Sequence, residues 1–149
     1  MEINTIISGI SDDWKLLEYK QEKSDQIWFF RKNLGASEIK GNSSLSTLVY
    51  FTVNFKPKDS TGLPSKSDAK ILYDFEENII PKVESEAACI LVASVVKDGV
   101  KDHLFYISDV DIFLSAISKY IEHLNGLEVA LEKVNDPKWE IYSDFPGGT

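Results

Sequence analysis

Two histidines, one cysteine and two adjacent glutamates are the side chains of this 149-residue chain best suited to chemistry. A catalytic triad requires a nucleophile, a base and an orienting group within hydrogen-bonding reach of one another. No serine lies in a Gly-x-Ser-x-Gly nucleophile turn. We interpret His103 as a structural residue of a predicted strand, with a general base as the alternative. His123, near a predicted helix end, is interpreted as a side chain that interacts with the helix dipole.

The single cysteine, Cys89, lies between Ala88 and Ile90 in an apolar run. A reactive thiolate needs a cationic neighbour or a helix N-terminus, and the flanking residues offer neither. We therefore predict that Cys89 is buried and unreactive. One cysteine cannot form an internal disulfide, which favours a reducing, cytoplasmic location. The chain has no apolar stretch of about 18 residues, and residues 1–10 lack a basic segment, so we expect neither a membrane span nor a signal peptide.

Carboxylates, metal-ligand motifs and glycine-rich loops give no catalytic pattern. Glu76 and Glu77 are adjacent on a predicted helix, where neighbouring side chains point about 100° apart, so they cannot form a facing acid–base pair with each other. The sequence contains no His-Glu-x-x-His motif, no calcium loop, and no Gly-x-Gly-x-x-Gly or Walker sequence. We therefore expect a protein that is not an enzyme and that uses no metal and no cofactor.

Acidic residues are concentrated in the second half of the chain. The formal net charge is −8, from 16 basic and 24 acidic residues. Residues 1–67 carry a net charge of +1 (nine Lys/Arg, eight Asp/Glu), and residues 68–149 carry −9 (seven Lys, sixteen Asp/Glu). Direct nucleic-acid binding needs cationic contacts to phosphates, so we do not expect it. The acidic half is either a solvated surface or a docking face for a basic protein.

Apolar periodicity and turn residues predict eight main elements. Residues 14–33 predict an antiparallel hairpin, and Leu48–Phe55 predicts a third strand. After the loop Lys56–Pro64, Ser65 or Ser67 can cap a helix. A strand follows over Ala87–Val96, Asp98-Gly99 predicts a tight turn, and Val100–Ile107 is the returning strand. A second helix extends from Ser108-Asp109 to Gly126, and Leu127–Val134 is the last strand. Within the first helix, Pro81 should kink or end the regular hydrogen bonding.

The order of these elements predicts a single α+β domain over residues 1–149. The predicted order is β-β-β-α-β-β-α-β, and its last six elements read β-α-β-β-α-β. This is the order of a ferredoxin-like, or split βαβ, unit. We therefore expect a ferredoxin-like sheet that is extended by an N-terminal β-hairpin, with two helices packed on one face.

Several motifs give the chain a resemblance to a bacterial protein family. They are Gly62-Leu63-Pro64 before a helix containing Asp74, Glu76 and Glu77; the Asp98-Gly99 hairpin; Phe105-Tyr106; and Asp136-Pro137-Lys138-Trp139 with Tyr142 and Pro146. Over about residues 14–146, the chain resembles the domain-of-unknown-function family six-nine-five. Members of this family are sometimes fused or related to ferredoxin-like regulators that inhibit ribonuclease E. The resemblance implies an α+β sheet protein with a regulatory or inhibitory role, and it brings no established active site.

Aromatic residues leave a choice between core packing and an interface. Trp139, Tyr142 and Phe145 either seal the last strand against the sheet or form exposed anchors for a partner. The consecutive aromatic residues Trp28, Phe29 and Phe30 present the same choice, because neighbouring side chains of a strand point to opposite faces.

These observations favour a noncatalytic acidic binding protein. Its most concrete form is an immunity protein or inhibitor that neutralises a basic toxin or nuclease by direct protein–protein binding. One alternative is a small-molecule-binding domain or unrecognised enzyme with a pocket beside the 56–64 loop, and another is a homo-oligomeric structural module. The predicted partner-binding residues are Asp74, Glu77, Glu84, Asp98, Asp102, Trp28, Phe30, Trp139 and Tyr142.

Overall fold

Six strands and five α-helices are present in the computed structural model, which describes residues 2–148. The strands are β1 Trp14–Lys20, β2 Ile27–Asn33, β3 Thr47–Asn54, β4 Cys89–Lys97, β5 Val100–Ile107 and β6 Glu128–Asn135. They form one antiparallel sheet in the order β1-β2-β4-β5-β3-β6. The helices are α1 Ile3–Ser8, α2 Lys66–Asp74, α3 Ile80–Ala87, α4 Val110–Ser118 and α5 Glu140–Asp144.

The mixed helix–sheet class predicted from the sequence is confirmed. The first and last residues of the predicted domain, Met1 and Thr149, lie outside the described residues. Among residues 2–148, no helix has the length and apolar character needed to cross a membrane.

Both predicted hairpins are present, β1–β2 and β4–β5. The β4–β5 turn has φ values of 42° at Asp98 and 82° at Gly99, positive at both central positions as predicted. The Gly99 N–H donates to the Gly62 carbonyl oxygen at 2.9 Å. A Cβ atom on Gly62 would lie 2.8 Å from the Asp98 Cα atom. The 56–64 loop is therefore packed directly against the turn, and this contact requires glycine.

The first predicted helix is a helical segment in three parts. Ser65 caps α2, because its hydroxyl accepts the backbone N–H of the third following residue at 3.2 Å. A π-helical turn, Phe75–Ile79, follows, and Pro81 occupies the first turn of α3. Pro81 has no N–H to donate to the preceding turn, and the regular α-helical hydrogen bonding is interrupted at the adjoining π-helical turn. The segment continues to Ala87, so the prediction that the next strand begins at Ala87 is wrong, and β4 begins at Cys89.

Each face of the sheet has its own hydrophobic cluster. On one face, sheet residues such as Phe51 pack with Phe75 of the π-helical turn and Phe113 of α4. We call this the α2 face. On the other face, Leu48 and Tyr106 pack with residues of α5 and of the 3₁₀ segment Leu34–Ile39, and isoleucines of α1 lie against this cluster. We call this the α5 face.

A β-bulge in β4 determines which of its side chains point toward each face. The pairing of β4 with β5 shifts between Leu91 and Ala93, so Val92 is an extra residue. Leu91 belongs to the cluster on the α2 face, whereas Val92 and Ala93 both belong to the cluster on the α5 face. Because strand side chains alternate, this shift turns the buried hydroxyl residue Ser94 toward the α2 face.

Candidate functional site

The α5 face is only partly covered by helices. α1, α5 and the 3₁₀ segment pack over the half that contains Leu48 and Tyr106. On the other half, strand alternation brings aromatic residues of β1 and β2 onto the same surface as acidic residues of β5 and β6. We call this half the open sheet surface. Its aromatic, hydroxyl and acidic side chains are Tyr19, Trp28, Phe30, Tyr50, Thr52, Asp102 and Glu132, and Lys97 lies beside Trp28 on it.

An aromatic ladder lies at the β1–β2 end of the open sheet surface. Ring centroids are 5.9 Å apart for Tyr19 and Trp28, 6.2 Å for Trp28 and Phe30, and 5.7 Å for Phe30 and Phe145. Lys97 Nζ lies 5.1 Å from the Trp28 ring centroid. A groove of about 570 Å³ runs beside these rings, and Tyr19 is 51% exposed. Aromatic rings that remain partly exposed are typical of protein–protein hot spots.

Carboxylates lie at the β3–β6 end of the same surface. Asp102 accepts a hydrogen bond from the Thr52 hydroxyl across the β3–β5 pair, and Glu132 lies opposite Tyr50 across the β3–β6 pair. Burial raises the pKa of Tyr50, and the negative charges of Glu132, Asp102 and Asp136 raise it further. The open sheet surface therefore has an aromatic end and a negatively charged end.

Three other predicted acidic residues lie outside this surface. Asp98 is exposed in the β4–β5 turn. Asp74 forms an ion pair with Lys70 within α2, with 2.7 Å between Oδ2 and Nζ, and Glu77 lies in the π-helical turn on the α2 face. Of the predicted acidic residues, Asp102 is the one that the sheet brings onto the same surface as the predicted aromatic residues of β2.

Glu84 of α3 is partly buried and accepts a hydrogen bond within the protein, and its place in a binding surface stays a prediction. The Leu91 N–H donates to Glu84 Oε2 at 2.9 Å. Burial raises the pKa of the Glu84 carboxyl to about 7, although the hydrogen bond from Leu91 acts in the opposite direction. This side chain therefore holds α3 against the first residues of β4.

Trp139 and Tyr142 are core residues, which corrects the prediction that they contact a partner. Both are fully buried. The Trp139 ring stacks on Tyr106 with 4.0 Å between centroids, and Trp139 Nε1–H donates to the Leu45 carbonyl at 2.8 Å. The Tyr142 hydroxyl donates to the Asn33 carbonyl at 2.7 Å. Both polar groups are thus satisfied inside the protein, as burial requires.

Asp136 joins α5 to the sheet beneath it. Its Oδ1 atom accepts the Glu140 N–H at 2.9 Å. Its Oδ2 atom accepts the Ile141 N–H at 3.0 Å and the Tyr106 hydroxyl at 2.7 Å. The first N–H groups of a helix have no intrahelical acceptor, so this carboxylate supplies the cap of α5 and connects it to β5.

The α2 face also holds a buried charged cluster, which is not among the predicted sites. Arg31 Nη1 contacts Glu76 Oε2, and Lys101 Nζ lies 3.0 Å from Glu76 Oε1. The Glu76 side chain is 5% exposed and the Lys101 side chain 9%. Burial, and then the positive charge of Arg31, lower the pKa of Lys101 to about 8. We call Arg31, Glu76 and Lys101 the charged cluster.

His103 lies on the same face as this cluster and is neutral. Its Nδ1–H donates to the Phe51 carbonyl at 3.0 Å. Burial, and then the positive charge of Lys101, lower the pKa of His103 to about 3. Its Nε2 atom has no hydrogen-bond partner among residues 2–148, and the side chain is fully buried. A general base must come within hydrogen-bonding distance of its substrate, so the geometry supports the structural interpretation of His103.

Comparison with known proteins places the chain in a family. The model of the family described as "Family of unknown function (DUF695)" matches residues 12–145. The chain belongs to this family. No curated protein and no solved structure matches it.

In this DUF695 protein, the geometry presents two arrangements suited to binding, the open sheet surface and the charged cluster. Within the part of the chain that the structure describes, no group of three His, Cys, Asp or Glu side chains is placed to hold a metal ion. Two sequence signals point to the charged cluster. Arg31 is the sole arginine of this DUF695 chain, and Lys101 and His103 are alternate residues of one strand. Alternate strand residues face the same side.

Proposed function

We propose that this protein is a noncatalytic acidic binding protein, an immunity protein or inhibitor that neutralises a basic toxin or nuclease in the cytoplasm by direct protein–protein binding. The observation that supports this proposal is the open sheet surface, on which an aromatic ladder adjoins carboxylates. The link to inhibitors of ribonuclease E belongs to the same proposal. A nuclease binds phosphates through cationic groups, and an acidic protein can bind to those groups.

The two ends of this surface have different roles in the proposed complex. A partner would bury the exposed ring of Tyr19 and the partly exposed rings of Trp28 and Phe30, and aromatic anchors of this kind supply much of the binding free energy at interfaces. Asp102 and Glu132 would attract cationic side chains of the partner. The net charge of −8 adds a long-range attraction that raises the association rate with a basic protein.

The proposal includes a ferredoxin-like unit within a single domain over residues 1–149. Between residues 47 and 135, the elements follow the order β3, the α2–α3 segment, β4, β5, α4, β6. The four strands are adjacent in the sheet as β4-β5-β3-β6, an order that fits a split βαβ unit. β1 and β2 extend the sheet beyond β4 and contribute the aromatic ladder. In this proposal, the binding surface exists because the hairpin widens a sheet face that α1 and α5 cover only in part.

Binding kinetics of the basic protein captured from the native cell test this proposal. The acidic-end variant Asp102→Asn/Glu132→Gln should lower the association rate and reduce its dependence on salt. Trp28→Ala and Tyr19→Ser should mainly raise the dissociation rate, because they remove buried contact area. Asp74→Asn, which removes one acidic charge from α2, is the matched control and should leave both rates near those of the parent.

The proposal fails if the captured protein binds the acidic-end and ladder variants with the rates of the parent. It also fails if Asp74→Asn changes the association rate as much as an acidic-end substitution does, because net charge rather than the open sheet surface would then explain the attraction. Circular dichroism melting of each variant separates loss of binding from loss of the fold.

A further inference from the structure

A cleft on the α2 face lies between α2 and the strands β1, β2 and β4, beside the end of the 56–64 loop. Its volume is about 430 Å³, within the range of small-molecule pockets. Its walls are mainly apolar and consist of Leu16, Pro64, Ala69, Leu72, Tyr73 and Val96. Leu16 is 66% exposed and Tyr73 is 62% exposed, so a ligand in the cleft would cover apolar surface that water now contacts.

The charged cluster and Glu77 complete the lining of this cleft. Arg31 and Lys101 share the single buried carboxylate of Glu76, so the cluster holds two positive charges against one negative charge. The carboxylate of Glu77, which also lines the cleft, is 43% exposed and lies 3.9 Å from Arg31 Nη2. Solvent screens such an exposed pair. The cleft is therefore lined by two cationic and two acidic side chains, and Glu76 is the one of the two carboxylates that is buried.

The same residues hold hydrogen-bond donors in fixed positions. A guanidinium group has five N–H donors and an ammonium group has three. One carboxylate cannot accept from all of them. Glu76 fixes the ends of both cationic side chains, and the Trp14 ring, 4.7 Å from Arg31 Cζ, supports the guanidinium from another side. Donors that are already ordered bind an anion with a smaller entropy cost.

We propose that this cleft binds a small organic anion, a carboxylate attached to an apolar body. The carboxylate oxygens accept hydrogen bonds from Arg31 and Lys101, and such charge-assisted bonds are the strong ones in proteins. The apolar body lies against Leu16, Leu72 and Tyr73. The cleft and the open sheet surface are on opposite faces of the sheet, so this proposal is independent of the proposed protein partner.

Isothermal titration calorimetry with 2-naphthoate and its uncharged counterpart 2-naphthamide tests the site. The parent protein should bind naphthoate roughly tenfold more tightly than the amide, because hydrogen bonds to charged groups are the stronger ones. Lys101→Met removes one of the two cations of the cleft while keeping a long side chain. It should abolish most of this difference and leave the affinity for the amide unchanged. Lys97→Met, which removes the same charge from the α5 face, is the matched control and should retain the parent's preference.

A second variant tests the apolar wall. Leu16→Ser changes an exposed side chain and should weaken both ligands by a similar factor. The proposal is overturned if naphthoate does not bind the parent protein, if the amide binds equally well, or if Lys97→Met and Lys101→Met lower the naphthoate affinity equally. If melting experiments show that Lys101→Met does not fold, Leu16→Ser and Tyr73→Ser decide the test. Parent-like naphthoate affinity in both would then refute the site.

Discussion

Replacing Glu84 by glutamine should stabilise the protein at neutral pH but not at acidic pH. Burial raises the pKa of this carboxyl from 4.5 to about 7. The folded state therefore binds the proton more tightly than the unfolded state does. The stability that comes from protonated Glu84 is fully present below about pH 4.5 and is lost as the pH rises through 7. Since one pKa unit corresponds to about 1.4 kcal/mol, ionised Glu84 destabilises the fold by about 3 kcal/mol.

Glutamine mimics the protonated carboxyl and keeps an oxygen that can accept the Leu91 N–H. The difference in unfolding free energy between Glu84→Gln and the parent should therefore be near zero at low pH. It should grow toward about 3 kcal/mol as the pH rises from about 5 to 8. Urea denaturation of both proteins across this range measures the difference, and every other titrating group is common to the two chains.

Glu86→Gln provides an opposite control on the same helix. Hydrogen bonds from Lys119 and from the Tyr120 hydroxyl lower the pKa of the exposed Glu86 carboxyl. Ionised Glu86 is therefore stabilising above its ordinary pKa, and this contribution is lost as the pH falls through the lowered value. Glu86→Gln should destabilise the protein at neutral pH only. A pH-independent effect of Glu84→Gln, or the same sign of pH dependence in both variants, would refute this reasoning.

Three further predictions concern the core and the turns. Cys89 is fully buried, and burial raises the pKa of its thiol. Ellman's reagent should therefore label it slowly in the folded protein and promptly in denaturant, and fast labelling of the folded protein would contradict this. Gly99→Val should lower the free energy of unfolding by about 1 kcal/mol or more in a denaturant titration, because Gly99 has a φ of 82° and a Cβ there would lie 3.2 Å from the Phe55 carbonyl oxygen. The control Asp98→Asn should leave the stability nearly unchanged. Asp136→Asn should lower the free energy of unfolding by about 1–3 kcal/mol in the same assay, because an amide oxygen cannot replace both carboxylate oxygens as acceptors. Unchanged stability would show that the cap of α5 is dispensable.

Much of the sheet can be predicted from local sequence patterns. Alternating or continuous apolar runs locate the strands, and Asp98-Gly99 identifies the β4–β5 turn because few residues adopt positive φ at both positions. The short helices near the two ends of the chain cannot be predicted in the same way. α1 has six residues and α5 has five, and neither is long enough to show a clear apolar period. α5 depends on contacts with Asp136 and Tyr106, which lie outside it, so no local pattern predicts it.

The candidate sites depend on contacts between residues distant in sequence, and this limits what the sequence can predict. Trp28 and Asp102 share a surface because β4 lies between β2 and β5, and this order follows from the whole sheet. The bulge at Val92 determines which residues of β4 point toward the α2 face and which toward the α5 face. The apolar run through β4 has no alternation that would reveal this bulge. Glu84 shows the same limit, because an acidic residue near a helix end is usually solvated, and only the packing of α3 on β4 buries it.

The residues that look most distinctive in the sequence are structural in the folded protein. Asp136, Trp139 and Tyr142 stack, cap and donate inside the α5 face, so their chemical character is satisfied without any partner. Arg31 and Lys101 differ, because they line a cleft and share the buried carboxylate of Glu76. A cleft that holds a buried ionisable group with a shifted pKa, such as Lys101, is a candidate functional site. For this reason, the charged cluster is the stronger guide to a ligand, and the distinctive C-terminal residues are the stronger guide to the fold.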